Sequence, residues 1–399
     1  MAHSFSRREF FMSAAVGAGG VAFGGRAAEK PIAGFDETNA GKVNSVAWKP
    51  VSDRKVKVGI VGYGVCRFGA EFGFQNHPNV EVVAASDLLP DRCAELAKVT
   101  GAKKTYASCE EMLEKDKEIE AIYIATDAPS HVRLCIASLK RGLHVVSAVP
   151  AVFGAEQLES ADELLATVKK TGLIYALNET SAFRSQCYAM REIYRAGGFG
   201  KMIYTEGEYY HYMAEPIGSY QEWRVGLPPQ YYPTHSNAFY TCVTGGTFTE
   251  VSCLAMPSLL PAFQPGKNRY GNCFATEVAL FRTSEGGMAR MAVGWDMPGG
   301  HGEKGRVHGQ KGSFEESYDG LADMKKVSQD KPQLPPKMPS GGHGGSHGYL
   351  TDDFITAILL NRKPCVDVAC ALNTTVPGII AHQSALKGGE TLKIPQYSV

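Results

Sequence analysis

Short apolar runs separated by periodic polar segments fill the chain between residues 55 and 178. Val56-Lys57-Val58-Gly59-Ile60-Val61 is a β-branched run that stops at Gly62-Tyr63-Gly64, and a run of that length closed by glycine predicts a buried strand entering a tight turn. Val80 to Ser86, Ala121 to Thr126, Gly142 to Ser147 and Ile174 to Glu179 repeat the pattern with helical segments between them. Alternation of this kind predicts a doubly wound parallel sheet, whose ligands sit beyond the carboxyl ends of the strands. From Lys201 the pattern changes. Met202 to Tyr212, Thr247 to Ala255, Phe274 to Thr283, Met288 to Trp295 and Arg306 to Glu315 are longer, and several alternate, as in Thr276-Glu277-Val278-Ala279-Leu280-Phe281. They predict an antiparallel sheet with helices on one face. Lys331 to Gly348, rich in Pro, Gly and His, predicts an irregular loop, and Tyr349 to Leu360 a helix that ends at Asn361-Arg362-Lys363-Pro364. The fold class is α/β, with a Rossmann-type domain over residues 55–178 and a second domain over 179–399.

Composition narrows the function classes. The 399 residues include 44% apolar and 21% charged side chains, ordinary globular usage. Forty-one basic and forty-one acidic side chains balance, so no global field draws the chain to nucleic acid or to an anionic membrane. The ten cysteines are scattered without a CxxC pair or zinc spacing and are expected to be small core residues. At the N-terminus, Ser6-Arg7-Arg8-Glu9-Phe10-Phe11 precedes an apolar, Gly- and Ala-rich stretch to Gly25. A twin arginine before a segment too short to span a bilayer resembles a twin-arginine export signal. Residues 1–27 are therefore set outside the fold, with 28–54 as a linker and a periplasmic or extracellular destination. The rest of the sequence has no apolar run of membrane-spanning length.

Three places carry candidate chemistry. In the first, Gly62 makes the tight turn and Gly64 lets the backbone approach a pyrophosphate at the next helix N-terminus, while Arg67 takes the place of the usual third glycine and Gly69 follows two residues later. Asp87 closes the second strand, where a carboxylate binds ribose hydroxyls and repels a 2′-phosphate, favouring NAD over NADP unless Arg92 or Arg67 compensates. In the second, Trp223-Arg224 suits a sugar face and its hydroxyls. Tyr232 and His235, three apart around Pro233, fall on one face if Pro233 opens a helix. The third is His343 with His347. A metal pair, solvated loop histidines, and an active-site proton donor or hydroxyl partner are the three readings; a Gly-rich loop offers no fixed face and no third ligand is evident, so no metal is assigned.

The glycine turn, the Ala125-Thr126 to His131 segment, Gly142-Leu143-His144-Val145 and Tyr232-Pro233-Thr234-His235 together resemble the Gfo/Idh/MocA oxidoreductase family from about Val56 onward. Trp223-Arg224, the Tyr-Pro-Thr-His run and Gly342-His343-Gly344-Gly345 are similar to its NAD-dependent glycoside hydrolase branch, the α-N-acetylgalactosaminidase-like proteins. The resemblance implies an open, mainly antiparallel C-terminal sheet that often pairs with another copy. It implies a tightly bound NAD held by Gly62, Gly64, Arg67, Asp87, Thr126, His131, Pro150 and Asn178. Tyr232, His235 and His343 become the implied catalytic residues, with Trp223 and Arg224 as substrate-binding residues. One departure stands out: Ala148-Val149-Pro150 replaces the Glu-Lys-Pro of the dehydrogenases and the Glu-Val-Pro of the hydrolases. The expected activity is redox-neutral cleavage of a glycoside through transient oxidation. The alternatives are net oxidation of a sugar or cyclitol, and a non-catalytic NAD-binding protein.

Overall fold

The β-branched run that opens the first domain is buried along almost its whole length, as a central parallel strand requires. In the computed structural model, which describes Lys42 and residues 44–399, six strands make this first sheet: β1 (Val56–Val61), β2 (Val80–Ser86), β3 (Lys104–Tyr106), β4 (Ala121–Ile124), β5 (His144–Ser147) and β6 (Tyr175–Leu177). Their order is β3-β2-β1-β4-β5-β6, and every pairing is parallel. This is the strand order of a dinucleotide-binding domain, with the reversal of winding between β1 and β4. The helices α1 (Phe68–Glu71), α2 (Pro90–Thr100), α3 (Cys109–Lys115), α4 (His131–Lys140) and α5 (Leu158–Thr171) connect the strands. The helix expected after the first turn is a single turn long. Gly73 then takes a left-handed φ of 74° and a short 3-10 turn, Phe74–Asn76, follows.

The third glycine of the fingerprint is displaced but its task is not. A Cβ on Gly69 would lie 2.4 Å from the Gly62 carbonyl oxygen, so Gly69 supplies the close packing of helix on strand that the third glycine usually allows. Arg67 stands instead at the α1 N-cap with a left-handed φ of 52°.

The second sheet has eight strands: β7 (Met202–His211), β8 (Phe248–Pro257), β9 (Phe274–Thr283), β10 (Met288–Gly294), β11 (His301–Gly309), β12 (Gly312–Phe314), β13 (Tyr318–Gly320) and β14 (Leu392–Lys393). Their order is β13-β12-β11-β7-β10-β9-β8-β14, antiparallel except for the parallel pair β7 and β10. The strand expected over Arg306 to Glu315 is two strands turning about Gln310-Lys311. The helices α6 (Ser185–Arg195), α7 (Thr234–Thr244), α8 (Gly342–Gly345), α9 (His347–Leu360) and α10 (Val368–Leu386) complete the fold. The expected loop up to Gly348 therefore ends earlier, in the short turn α8 and the start of α9.

Helix α7 lies tight on the sheet. A Cβ on Gly207 of β7 would stand 2.0 Å from the Ser236 carbonyl oxygen, and one on Gly305 of β11 would stand 2.2 Å from the Phe239 ring. Helix α10 packs on both sheets' layers: against β8 and α7 on one side, and against β6 and α5 on the other. The described residues fall within one compact unit, and the core is a single continuous apolar cluster. The ten cysteines are free, six of them buried. The proposed export signal and most of the linker lie outside the described residues.

Candidate active site

A cleft opens at the carboxyl ends of β1, β2 and β4, where a doubly wound sheet binds its ligands. Gly62, Gly64, Arg67, Asp87 and Thr126 line it from the first domain, and Trp223 and Arg224 from the second. The local chemistry fits a dinucleotide. Gly62 holds a φ of 101° and a Cβ there would collide with Ala125 O at 2.4 Å, whereas a Cβ on Gly64 would meet nothing within 4 Å. The turn thus leaves open space beside the Gly64 backbone. The Asp87 carboxylate is aimed by two backbone amides, accepting from Tyr63 N at 2.7 Å and Leu89 N at 2.8 Å. Each oxygen keeps a second lone pair for a ribose hydroxyl.

Three of the expected cofactor residues lie elsewhere. His131 is buried, with Nδ1 2.9 Å from the Pro150 carbonyl and Nε2 3.2 Å from the Thr126 carbonyl. It ties together the loops that follow β4 and β5, and burial pushes its pKa down. Pro150 is buried outside the cleft wall. Asn178 is likewise buried, with its backbone N–H donating to Ser147 O at 2.8 Å.

Beside the cleft stands a buried polar cluster. Pro233 is the N-cap of α7 rather than its first residue, so Tyr232 lies just outside the helix and His235 in its first turn. Their rings are still neighbours, 5.6 Å between centroids. The tight seating of α7 brings His235 to Glu303 of β11, 4.0 Å from Nδ1 to Oε1, and its Nδ1 is 2.9 Å from Oε1 of Glu179. Glu179 Oε1 also accepts from Ser181 N at 2.8 Å, while Oε2 is buried without a hydrogen-bond partner. Arg184 forks onto Glu303, with Nε 2.7 Å from Oε2 and Nη2 3.2 Å from Oε1. The His343 ring lies 6.0 Å from that of His235. Tyr232, His235 and His343 are 3%, 1% and 2% exposed, behind a wall formed by Phe68, Trp223 and Arg224. Phe68 packs on His343 at 5.7 Å, and the Arg224 guanidinium lies over Trp223 at 4.2 Å and Tyr232 at 5.6 Å.

This environment separates the proton affinities of the two imidazoles. Burial lowers the pKa of His235, but Glu179 and Glu303 outweigh it and the net shift is upward. Burial pushes His343 well down, with His347, His235 and Arg184 adding to it. Burial raises Tyr232 to about 12 despite Arg224 nearby, so its hydroxyl keeps its proton at neutral pH. Groups pushed apart in this way are suited to opposite acid and base tasks. The Gly-rich loop does give His343 a fixed place: it sits in α8, and its Nδ1 is 2.8 Å from Nε2 of His347. Third ligands also exist, since among the described residues donor atoms of His235, Glu303 and His343 lie within 4.8 Å of one another, close enough to hold a cation. The Arg184 guanidinium already sits on that carboxylate and opposes a dication there.

Sequence reasoning singled out Tyr232, His235 and His343, the last together with His347, but missed Glu179, Arg184 and Glu303 as their partners. Glu179 was legible in principle, as an acid beyond the carboxyl end of the last parallel strand. Glu303 was not, because only the pairing of β11 with β7 brings it under α7. At the position of the missing lysine, Val149 is packed in the core.

A dinucleotide-type Rossmann domain joined to a mainly antiparallel sheet, with buried acid/base groups beside the cleft, defines a two-domain oxidoreductase-type architecture. Residues 56–179 match the Gfo/Idh/MocA oxidoreductase family with an NAD-binding Rossmann fold. A glycosyl hydrolase family 109 protein of Streptomyces filamentosus is 26% identical over 436 residues, covering 96% of this chain and 86% of that one. Glycosyl hydrolase family 109 protein 1 of Bacteroides fragilis is 28% identical over 179 residues; that match covers 43% of this chain and only 38% of the relative's length. Among solved structures, scyllo-inositol dehydrogenase from Lactobacillus casei with bound NAD(H) and scyllo-inositol superposes with a TM-score of 0.65 at 18% identity, over 85% of this chain and 99% of that one. Levoglucosan dehydrogenase in its apo form gives 0.68 at 16%, over 86% and 100%.

Proposed function

We propose that this chain is an NAD-dependent carbohydrate enzyme that cleaves a glycoside without net redox change. The observation that carries the reading is the buried group of His235, His343 and Tyr232 beside the dinucleotide cleft, with opposed proton affinities, in a chain whose lysine position is Val149. The near-full-length likeness to glycosyl hydrolase family 109 proteins supports it.

Gly62, Gly64, Arg67, Asp87 and Thr126 would hold the dinucleotide, and a bound nicotinamide supplies reversible oxidation of one sugar carbinol. Trp223 and Arg224 orient the sugar from the wall between cleft and cluster. With a ketone on the ring the adjacent C–H is acidic, and His343, kept proton-free, removes that proton. His235, kept protonated by Glu179 and Glu303, donates to the departing glycosidic oxygen. Tyr232, which holds its proton, donates a hydrogen bond to the ketone oxygen, where negative charge gathers as the adjacent proton leaves. Water then adds and the same groups act in reverse.

Tight retention of NAD, export by the twin-arginine route and assembly of copies through the second sheet belong to the same reading. Leu254, Met256 and Leu280, exposed on β8 and β9, support the last of these; among the described residues no helix is long and apolar enough to cross a membrane. Protein purified without added cofactor is expected to turn over many equivalents of a glycoside in heavy water, with deuterium entering the product beside the transiently oxidised carbon. One equivalent of NADH per site, with oxidised sugar and an intact glycosidic bond, would replace this reading with net oxidoreduction.

A further inference from the structure

Behind His343 lies an imidazole that the steps above do not use. His347 is buried in the first turn of α9, its ring stacked on Phe72 at 4.1 Å and meeting Phe68 edge-on at 6.0 Å. Its Nε2 faces Nδ1 of His343 at 2.8 Å. Its Nδ1 lies 3.2 Å from the Glu71 carbonyl oxygen and 3.2 Å from the Gly342 amide nitrogen.

Those two neighbours make opposite demands. The carbonyl accepts only from an Nδ1 that carries hydrogen, and the amide donates only to a bare Nδ1. Each choice dictates the state of His343. With hydrogen on Nδ1, His347 presents a bare Nε2, so His343 carries hydrogen on Nδ1 and its Nε2, without hydrogen, is the basic nitrogen. With Nδ1 bare, Nε2–H of His347 donates to His343, whose own hydrogen then sits on Nε2 as an acid. Burial lowers His347 to about 4 and His343 well below its usual range, so the resting pair is neutral in either arrangement. The charged and titratable groups facing the pair are His235, Arg184, His211 and Glu303.

We propose that His347 is a positioning residue that switches His343 between its proton-accepting and proton-donating forms within one turnover, an inference that rests on the acid/base reading of the site. His343 Nε2 takes the proton from the substrate carbon. Its Nδ1–H passes along the 2.8 Å contact to Nε2 of His347, which becomes the imidazolium with its Nδ1–H on the Glu71 carbonyl. Reversal returns the proton to substrate, and the pair ends neutral as it began. No oxidant or co-reactant is needed, and a residue that merely filled space would not link the two rings.

The test is imidazole nitrogen NMR on histidine-labelled protein, alongside kinetics of His347→Gln. In the wild type both rings should show nitrogen resonances between the bare and protonated positions, the sign of a shared tautomer equilibrium. In His347→Gln, His343 should settle into one tautomer, with kcat reduced about 10- to 100-fold and KM changed less than about twofold. If that variant fails to fold, the wild-type spectrum decides alone. A His343 fixed in the wild type with its hydrogen on Nε2, or unchanged kcat with an unchanged pH profile in the variant, overturns the proposal. Shared resonances in a protein that cleaves no glycoside would support the relay and remove the proposed reaction instead.

Discussion

At the scale of single residues, the site depends on two carboxylates that the sequence pattern did not single out. Glu179 holds His235 at 2.9 Å, and the raised proton affinity of that imidazole follows from Glu179 and Glu303 overcoming burial. Replacing Glu179 by Gln keeps the shape and removes one negative charge. The variant is expected to lose the protonated imidazole at lower pH, moving the alkaline limb of the kcat/KM profile toward acid, with a fall of ~10²-fold or more at the former optimum. A steady-state pH profile checks this, and an unmoved limb would assign the acid role elsewhere. Tyr232, His235 and His343 were legible because they form part of short runs with recognisable neighbours. Their partners were not, because Glu303 and Arg184 meet them only through packing of separate segments. His131 shows the converse: it sits in a recognisable run, yet both ring nitrogens face backbone carbonyls and its work is to join loops.

Among elements, strands were the easier part. The runs at Val56, Val80, Ala121, Gly142 and Ile174 all became parallel strands, because a strand buried on both faces leaves a continuous apolar signal. The short β3, whose residues are half-exposed or exposed, left no such signal. Helix α10 went unnoticed since it is apolar on nearly all sides and contains Pro377, which breaks the usual pattern. On β7, β10 and β11 a charged ladder replaces apolar residues: Arg290 bonds Glu206 at 2.8 Å and Arg306 bonds it at 2.9 Å. Burial raises the Glu206 pKa, but Arg306, Arg290 and Tyr204 outweigh it and bring it down to about 2. A carboxyl lowered on folding contributes stability above its unfolded value near 4.5, and that contribution fades as pH falls toward about 2. Glu206→Gln should therefore lower stability by about 1.5 kcal/mol at neutral pH and by progressively less in acid. Urea unfolding at pH 7 and at pH 3 measures the difference; an equal loss at both would mean that the charge on Glu206 is not what the ladder uses.

Across the whole molecule, the two-sheet architecture was legible from the switch between short buried runs and long alternating ones. What joins the sheets was not, since it depends on segments far apart in the chain. Helix α10 sits against β6 and α5 as well as β8 and α7. Its Thr375 hydroxyl accepts from Ala151 N at 3.3 Å, and the strand residue Leu177 donates its N–H to Val366 O at 3.0 Å. A chain ended after Leu360 is expected to lose the cooperative unfolding of the first sheet together with that of the second, read as rapid proteolysis of residues 121–178. Survival of a protected fragment there would show that the Rossmann half stands alone. The same helix also sets a timetable for synthesis. The dinucleotide half leaves the ribosome first, but the face of its sheet that α10 covers stays open until Val368–Leu386 has emerged. Completion of the cofactor-binding half therefore waits for the synthesis of α10, and a chaperone that shields that face in the interval would act on the nascent chain.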